Sequence, residues 1–220
     1  MYLNWKELTT EDFSDQNINT LYNEGFLFTR IKKGKMAQTR SVRIDLSKFK
    51  LSSENKRILR KTEDIELNIL PIPYSDYNWK IGKMAKDFYS IKFGEGTFSA
   101  NKIKELLTTK HNFNKLFVYK TTNCNLQTTE CNVGFAICHE TNELLSYSYP
   151  FYNLKSEINN LGISMMLRAI MYASESGKKY IYLGSAKDEK AKYKLQFEGL
   201  EWFDGINWDT DLAKLKNILK

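Results

Sequence analysis

The stretch Asn160-Leu161-Gly162-Ile163-Ser164-Met165-Met166-Leu167-Arg168-Ala169-Ile170, running on to Gly177-Lys178-Lys179-Tyr180-Ile181-Tyr182-Leu183-Gly184, decides the fold. Its first part is strongly apolar, which predicts a long buried helix from Asn160 to Ser176. Gly177 falls at the C′ position, where a left-handed residue closes a helix. Lys179 to Gly184 then reads as a buried strand. A strand reached through a helix returns by a right-handed crossover, which would lay Tyr180 to Leu183 parallel to a strand before the helix.

Upstream residues supply that partner. Leu116 to Lys120, Val133 to His139 and Leu144 to Tyr149 read as antiparallel strands, with Glu140-Thr141-Asn142-Glu143 as a polar turn. Before them, Trp79 to Phe93 has helical spacing with Ile81, Met84, Ala85, Phe88 and Ile91 as its core stripe, and Ala100 to Leu107 gives a second helix. Nearer the start, Phe26-Leu27-Phe28 is a short strand, and Thr39 to Leu46 alternates so that Val42, Ile44 and Leu46 share a face. A helix opens at Ser52 or Ser53, turning Ile58 and Leu59 inward and Lys56, Arg57, Arg60 and Lys61 outward. Glu66 to Ile72 adds a strand stopped by Pro71 and Pro73. After the deciding stretch come a helix from Lys187 to Leu195, a hairpin at Asp204-Gly205 and a helix from Asp209 to Lys220. The order predicts a mixed α/β (α+β) fold with a central, mostly antiparallel mixed sheet flanked by helices. It resembles the arrangement that a GNAT-like acyltransferase fold builds around its cleft.

The chain has 220 residues, 42% of them hydrophobic, with only 3 prolines and 11 glycines, so it can bury a full core and is not a low-complexity chain. No repeat or linker divides it. One domain over residues 1–220 is expected, with a basic N-terminal part (1–75) and an acyltransferase core (76–220). No apolar run approaches the roughly 18 to 20 residues that span a bilayer, and residues 1–13 are too acidic for a signal sequence. A soluble, cytoplasmic protein without membrane contact is expected. Cys124, Cys131 and Cys138 lack the paired spacing of zinc sites and are read as reduced thiols, and His111 and His139 stand alone, so no metal is expected.

Charge is concentrated. Of the net +7, the stretch from Arg30 to Lys61 holds twelve basic residues and two acids, or +10, and the remainder is −3. Such a field draws polyanions, phosphate backbones first. Arg57, Arg60 and Lys61 have almost no acids at helical spacing to offset them, so a partner is expected to supply negative charge. A smaller cluster, Lys187, Lys190, Lys192 and Lys194, follows the buried strand.

Three segments carry a family resemblance. Asn160 to Ile170 with Gly177 to Gly184 resembles the SLGxxxIL…G…YxYLG segment of the aminoacyl-tRNA-protein transferases (arginyl/leucyl-tRNA-protein transferases). Lys190-Ala191-Lys192-Tyr193-Lys194-Leu195-Gln196-Phe197-Glu198-Gly199-Leu200-Glu201 resembles their KMxYKxxFxPxE, and Val42-Arg43-Ile44 to Lys61 their VxRI…FxxSxxQRRxLRR. The resemblance implies transfer of an amino acid, arginine or leucine, from aminoacyl-tRNA to the N-terminal amine of an acceptor protein, expected to be acidic at its N-terminus, marking it for degradation. No cofactor is implied beyond aminoacyl-tRNA as co-substrate. The chain departs from the family in Lys35 to Ser41, which holds no cysteine where the family has a cysteine-rich motif, in Ser185-Ala186 after the YLG, and in Gly199 for proline.

An aminoacyl ester needs a neutral amine to attack it, a donor for the oxyanion and a proton for the leaving ribose oxygen. An α-amine with a pKa of about 7.7 to 8.0 is partly neutral already near pH 7. Positioning therefore matters more than strong catalysts. Within that scheme Arg57, Arg60 and Lys61 would grip tRNA phosphates. Lys190 and Lys194 would hold the acceptor end or an acidic N-terminal side chain, and Tyr193 would donate to the leaving oxygen. Tyr182 and Gly184 would end the strand at the cleft, so Tyr193, Lys190 and Tyr182 are the catalytic candidates, with Gly184 and Gly162 in the binding set. Plainer readings stand beside these: Tyr182 as a packed aromatic, Lys190 as a solvated lysine, Gly162 as a helix opener, and His139 and Glu140 as either proton-transfer aids or ordinary strand-end residues. Two rival functions also stay open. One is an acetyl-CoA-dependent N-acetyltransferase, for which Asn159 to Ser164 offers one glycine where a phosphate-cradling loop uses more. The other is a non-catalytic tRNA-binding relative.

Overall fold

The structure, a computed structural model, describes residues 4–122 and 131–220. Along the chain lie β1 (Lys6–Thr9), α1 (Asp15–Asn23), β2 (Phe26–Phe28), β3 (Lys35–Gln38), β4 (Ser41–Asp45), α2 (Ser53–Lys61), β5 (Ile65–Pro71), α3 (Trp79–Phe93) and α4 (Ala100–Thr108). There follow β6 (Lys115–Thr121), β7 (Asn132–Glu140), β8 (Leu144–Tyr152), α5 (Leu161–Glu175), β9 (Tyr180–Ser185), a 3₁₀ helix (Glu189–Gln196), β10 (Leu200–Phe203), β11 (Trp208–Asp209) and α6 (Leu212–Ile218). The mixed, mostly antiparallel sheet with flanking helices is present as expected.

The chain forms two compact units. The first comprises residues up to Ser53, Glu140–Ser148 and Ile170–Lys220. Its strands follow the order β11-β10-β4-β9-β8, antiparallel except for β8 and β9, which run parallel with Leu144 opposite Tyr180. The parallel pairing that the sequence predicts for β9 is therefore present, over Tyr180 to Tyr182. A separate small sheet has the order β1-β3-β2. The core here is Ile18, Tyr22, Met36, Val42, Ile44, Ile181, Tyr182 and Trp202, each at most 1% exposed.

The second unit, Glu54–His139 with Tyr149–Ala169, holds the antiparallel run β7-β6-β5 and helices α2, α3 and α4. Local chemistry sets the helix ends. Asn78 Oδ1 accepts from the backbone N–H of Lys80 and Ile81 at 3.0 and 3.3 Å, and Ser99 Oγ accepts from that of Lys102 at 3.2 Å. Helix α5 closes at Gly177, φ 70°, where an L side chain would be strained.

Several expectations are corrected. Ile91 is 70% exposed instead of joining the core stripe, and Leu59 is half-buried whereas Ile58 is enclosed. The segment after β9 is a 3₁₀ helix, not an α-helix. Strand β1 and helix α1 carried no sequence signal: β1 is largely exposed and shows no alternation of burial. Cys131 stands in a disulfide, so the reduced-thiol reading holds for buried Cys138 and not for Cys131, while Cys124 lies outside the described residues.

Candidate functional site

Strand β9 sets the geometry in the first unit. Its parallel register with β8 runs from Leu144↔Tyr180 to Ser146↔Tyr182 and ends there, before β9 itself ends at Ser185. Gly184 sits in this last part with φ 77°, a conformation that only glycine adopts freely. On the other flank β4 keeps contact through Ser41↔Ser185. The end of β9 is thus held on one side and released on the other.

Arg43 lies behind it. Its Nε and Nη2 each donate to Glu201 Oε2 at 2.9 Å, and its Nη1 donates to Asn23 Oδ1 at 2.8 Å and to the Tyr182 hydroxyl at 3.2 Å. The guanidinium carbon stands 3.8 Å from the ring centroids of both Tyr180 and Trp208. Pairing, hydrogen bonds and aromatic faces together offset the cost of burying this charge. Tyr182 is fully buried, and that burial pushes its hydroxyl up to about 12 against the opposing pull of Arg43. It is a neutral hydroxyl engaged inside the sheet.

The 3₁₀ helix that follows presents the lysine cluster. Asp188 caps it through the backbone N–H of Lys190, whose side chain is exposed. Tyr193 is 44% exposed. Lys194 points inward at 8% exposure, and its Nζ donates to the Ser185 carbonyl at 2.8 Å. It stands 3.8 Å from where a Gly184 Cβ would lie. Burial lowers the Lys194 ammonium to about 8. Arg40, just before β4, donates from Nη1 to the Ala186 carbonyl at 3.3 Å, and burial lowers its guanidinium. Tyr182, Gly184, Lys194 and the neighbouring Tyr193 and Lys190 therefore belong to one local region. The sequence pointed to all five but not to Arg40 or to Arg43 as its organiser.

The remaining candidates lie in the second unit. Arg57 is bound bidentately by Glu54, both contacts at 2.6 Å, so the expectation of uncompensated charge is corrected at that residue. Arg60 and Lys61 are exposed with no hydrogen-bonded partner among the described residues. Gly162 opens α5 under the ring of Tyr152, whose Cε1 would stand 3.0 Å from an added Cβ, so packing alone accounts for this glycine. His139 Nδ1 lies 2.7 Å from the Asn112 carbonyl. In the first unit, Glu140 accepts from the Tyr172 hydroxyl at 2.9 Å and pairs with Lys178 at 3.2 Å. Among the described residues no group of three or more His, Cys, Asp and Glu side chains is arranged to hold a metal, and no helix is long and apolar enough to cross a membrane.

Known proteins resemble this chain. The profile of a family described as "Arginine-tRNA-protein transferase, C terminus" matches residues 74–204. An aspartate/glutamate leucyltransferase of Ruegeria pomeroyi is 24% identical over 172 residues, which cover 77% of this chain and 61% of that protein. One from Xylella fastidiosa is 36% identical over 78 residues, 34% of this chain and 31% of that protein. This chain therefore spans about three fifths of the first relative's length, 61%. Among solved structures, the GCN5-related glucosamine N-acetyltransferase region of a fungal multi-domain GH3 beta-N-acetylglucosaminidase has a TM-score of 0.50 at 9% identity, over 89% of this chain and 23% of that one. That likeness concerns the fold alone.

Proposed function

We propose, from the premise that this chain belongs to the arginine-tRNA-protein transferase family, that it moves an amino acid from an aminoacyl-tRNA to the N-terminal amine of an acceptor protein. One observation supports this reading: parts of the three family-like segments lie together in the first unit, where Arg43 bonds Tyr182 and Glu201 and Lys194 bonds the Ser185 carbonyl at the end of β9. The names of the relatives favour leucine as the group moved and an acceptor beginning with aspartate or glutamate. An acceptor so extended is marked for degradation, in the cytoplasm where charged tRNA resides.

In the reaction, the neutral α-amine attacks the ester carbonyl, a C–N bond forms, the C–O bond to the ribose breaks, and the proton lost by the amine ends on the ribose oxygen. Tyr193, partly exposed beside Lys194, is the donor assigned to that oxygen. Lys190 holds the acceptor end of the tRNA, Gly184 admits substrate close to the main chain, and Arg60 and Lys61, with Arg57 once Glu54 releases it, bind phosphates. Tyr182 acts by fixing Arg43, and Gly162 by seating Tyr152. Holding both substrates in place can supply about 7 to 11 kcal/mol of the barrier, which suits a site with few strong acids or bases.

Incubation with tRNAs charged with arginine or leucine and with peptides bearing each N-terminal residue, read by mass spectrometry, tests this. The reading expects a gain of one amino acid on a subset of peptides. Absence of any gain, with tRNA still bound, would favour a binding-only relative.

A further inference from the structure

Two cations end on consecutive carbonyls where β9 closes. Lys194 Nζ donates to Ser185 O at 2.8 Å and Arg40 Nη1 to Ala186 O at 3.3 Å. Neither has a carboxylate partner among the described residues. Lys194 keeps only 8% of its exposure, Arg40 Nε is buried without a hydrogen bond, and Thr39 Oγ1 beside it is in the same state. By contrast Arg43, buried close by in sequence, is supplied with Glu201. A carbonyl dipole offsets only part of the cost of a desolvated charge, and uncompensated buried charges are rare without a ligand to complete them.

We propose that Arg40 and Lys194 form the subsite that receives the side-chain carboxylate of an acidic acceptor N-terminus, an assignment that rests on the transfer reading above. A carboxylate accepts from a guanidinium and an ammonium together, and such charge-assisted bonds are the strong ones. The acceptor's main chain would lie along the last residues of β9, which the β8–β9 register, ending at Ser146↔Tyr182, leaves without a β8 partner. A tRNA phosphate fits less well. It carries a ribose on each side and suits exposed cations such as Arg60 and Lys61, whereas a carboxylate on one or two methylenes is small enough to reach a lysine that is only 8% exposed.

Titration calorimetry with two peptides that differ only in beginning with Asp or Asn tests the subsite apart from the transfer. The wild-type chain is expected to bind the Asp peptide at least about tenfold more tightly, and Lys194→Met and Arg40→Gln are each expected to erase that preference. Arg40 is only partly buried, so Arg40→Gln keeps the test valid should Lys194→Met misfold. Equal affinity of the wild-type chain for the two peptides, or a preference that survives both substitutions, overturns the proposal. So does a loss of tRNA affinity in both variants with the peptide preference intact, which reassigns the pair to phosphate. A clear Asp preference in a chain that transfers no amino acid leaves the subsite standing and removes the transfer reading instead.

Discussion

Arg43 and Glu201, 158 positions apart in sequence, meet in a buried ion pair with Nη2 and Oε2 2.9 Å apart. The contact joins β4 to β10, whose register sets Arg43 opposite Glu201. On its other side Arg43 reaches Tyr182 on β9. Two of the segments that resemble a family motif are thus the two halves of one structural clasp.

Breaking such a pair by removing one partner leaves a buried charge uncompensated. Glu201→Ala is therefore expected to lower stability by about 3 to 5 kcal/mol, measured by denaturant unfolding. Lys48, which also reaches Glu201 at 3.3 Å, is itself a cation and offers Arg43 no compensating charge. A loss below about 1 kcal/mol would mean that the clasp does not hold the sheet.

Lys194 works in the opposite direction. Its folded-state pKa, about 8, lies below the ordinary 10.5, so the unfolded chain holds the proton more tightly between these values. Stability from this group therefore rises with pH from about 8 to 10.5, and its penalty is fully present below 8. Lys194→Met is expected to gain about 1 to 3 kcal/mol at pH 7, after the lost bond to Ser185 is discounted, and the gain should shrink toward pH 10. A substitution that destabilises equally at both pH values would identify a purely structural lysine.

The exposed cations of α2 make a salt-dependent prediction. Arg60→Ala and Lys61→Ala are each expected to weaken tRNA binding and reduce the slope of log affinity against log salt by about 1. Glu54→Gln should strengthen binding by freeing Arg57. Filter-binding titrations across a salt series measure all three, and unchanged slopes would place the tRNA elsewhere.

Two glycines separate strain from packing. Gly184→Ala puts a side chain at φ 77° and is expected to cost about 1 to 2 kcal/mol although space is available. Gly162→Ala meets Tyr152 at 3.0 Å, so its cost should fall when Tyr152→Leu is added. Thermal unfolding of the two single variants and the double variant gives both answers; additivity between positions 162 and 152 would refute the packing role.

Much of this was legible in the sequence because it is local. The apolar run of α5, Gly177 at its end and the Asp204-Gly205 turn each signal themselves within a few residues. The order of strands is less local: β4 inserts between β9 and β10, and no periodicity announces that Ile44 faces Ile181 on one side and Leu200 on the other. Arg43 looked like one cation in a basic stretch because charge counting cannot see Tyr180, Trp208 and Glu201 arriving from the far end of the chain. Lys194 was visible as a candidate, but its burial depends on a 3₁₀ turn that helical spacing misplaces. Arg40 gave no signal of its own, since what marks it is an unmatched Nε in the folded state.

The most direct measurement follows an isotopically labelled leucine. Leucyl-tRNA carrying it is mixed with the protein and a peptide beginning with Asp, and tandem mass spectrometry reads the product. The account expects the label as a new first residue, joined to the former α-amine, and none on a peptide whose α-amine is blocked. An unlabelled peptide, or one acetylated when acetyl-CoA is supplied instead, would contradict it.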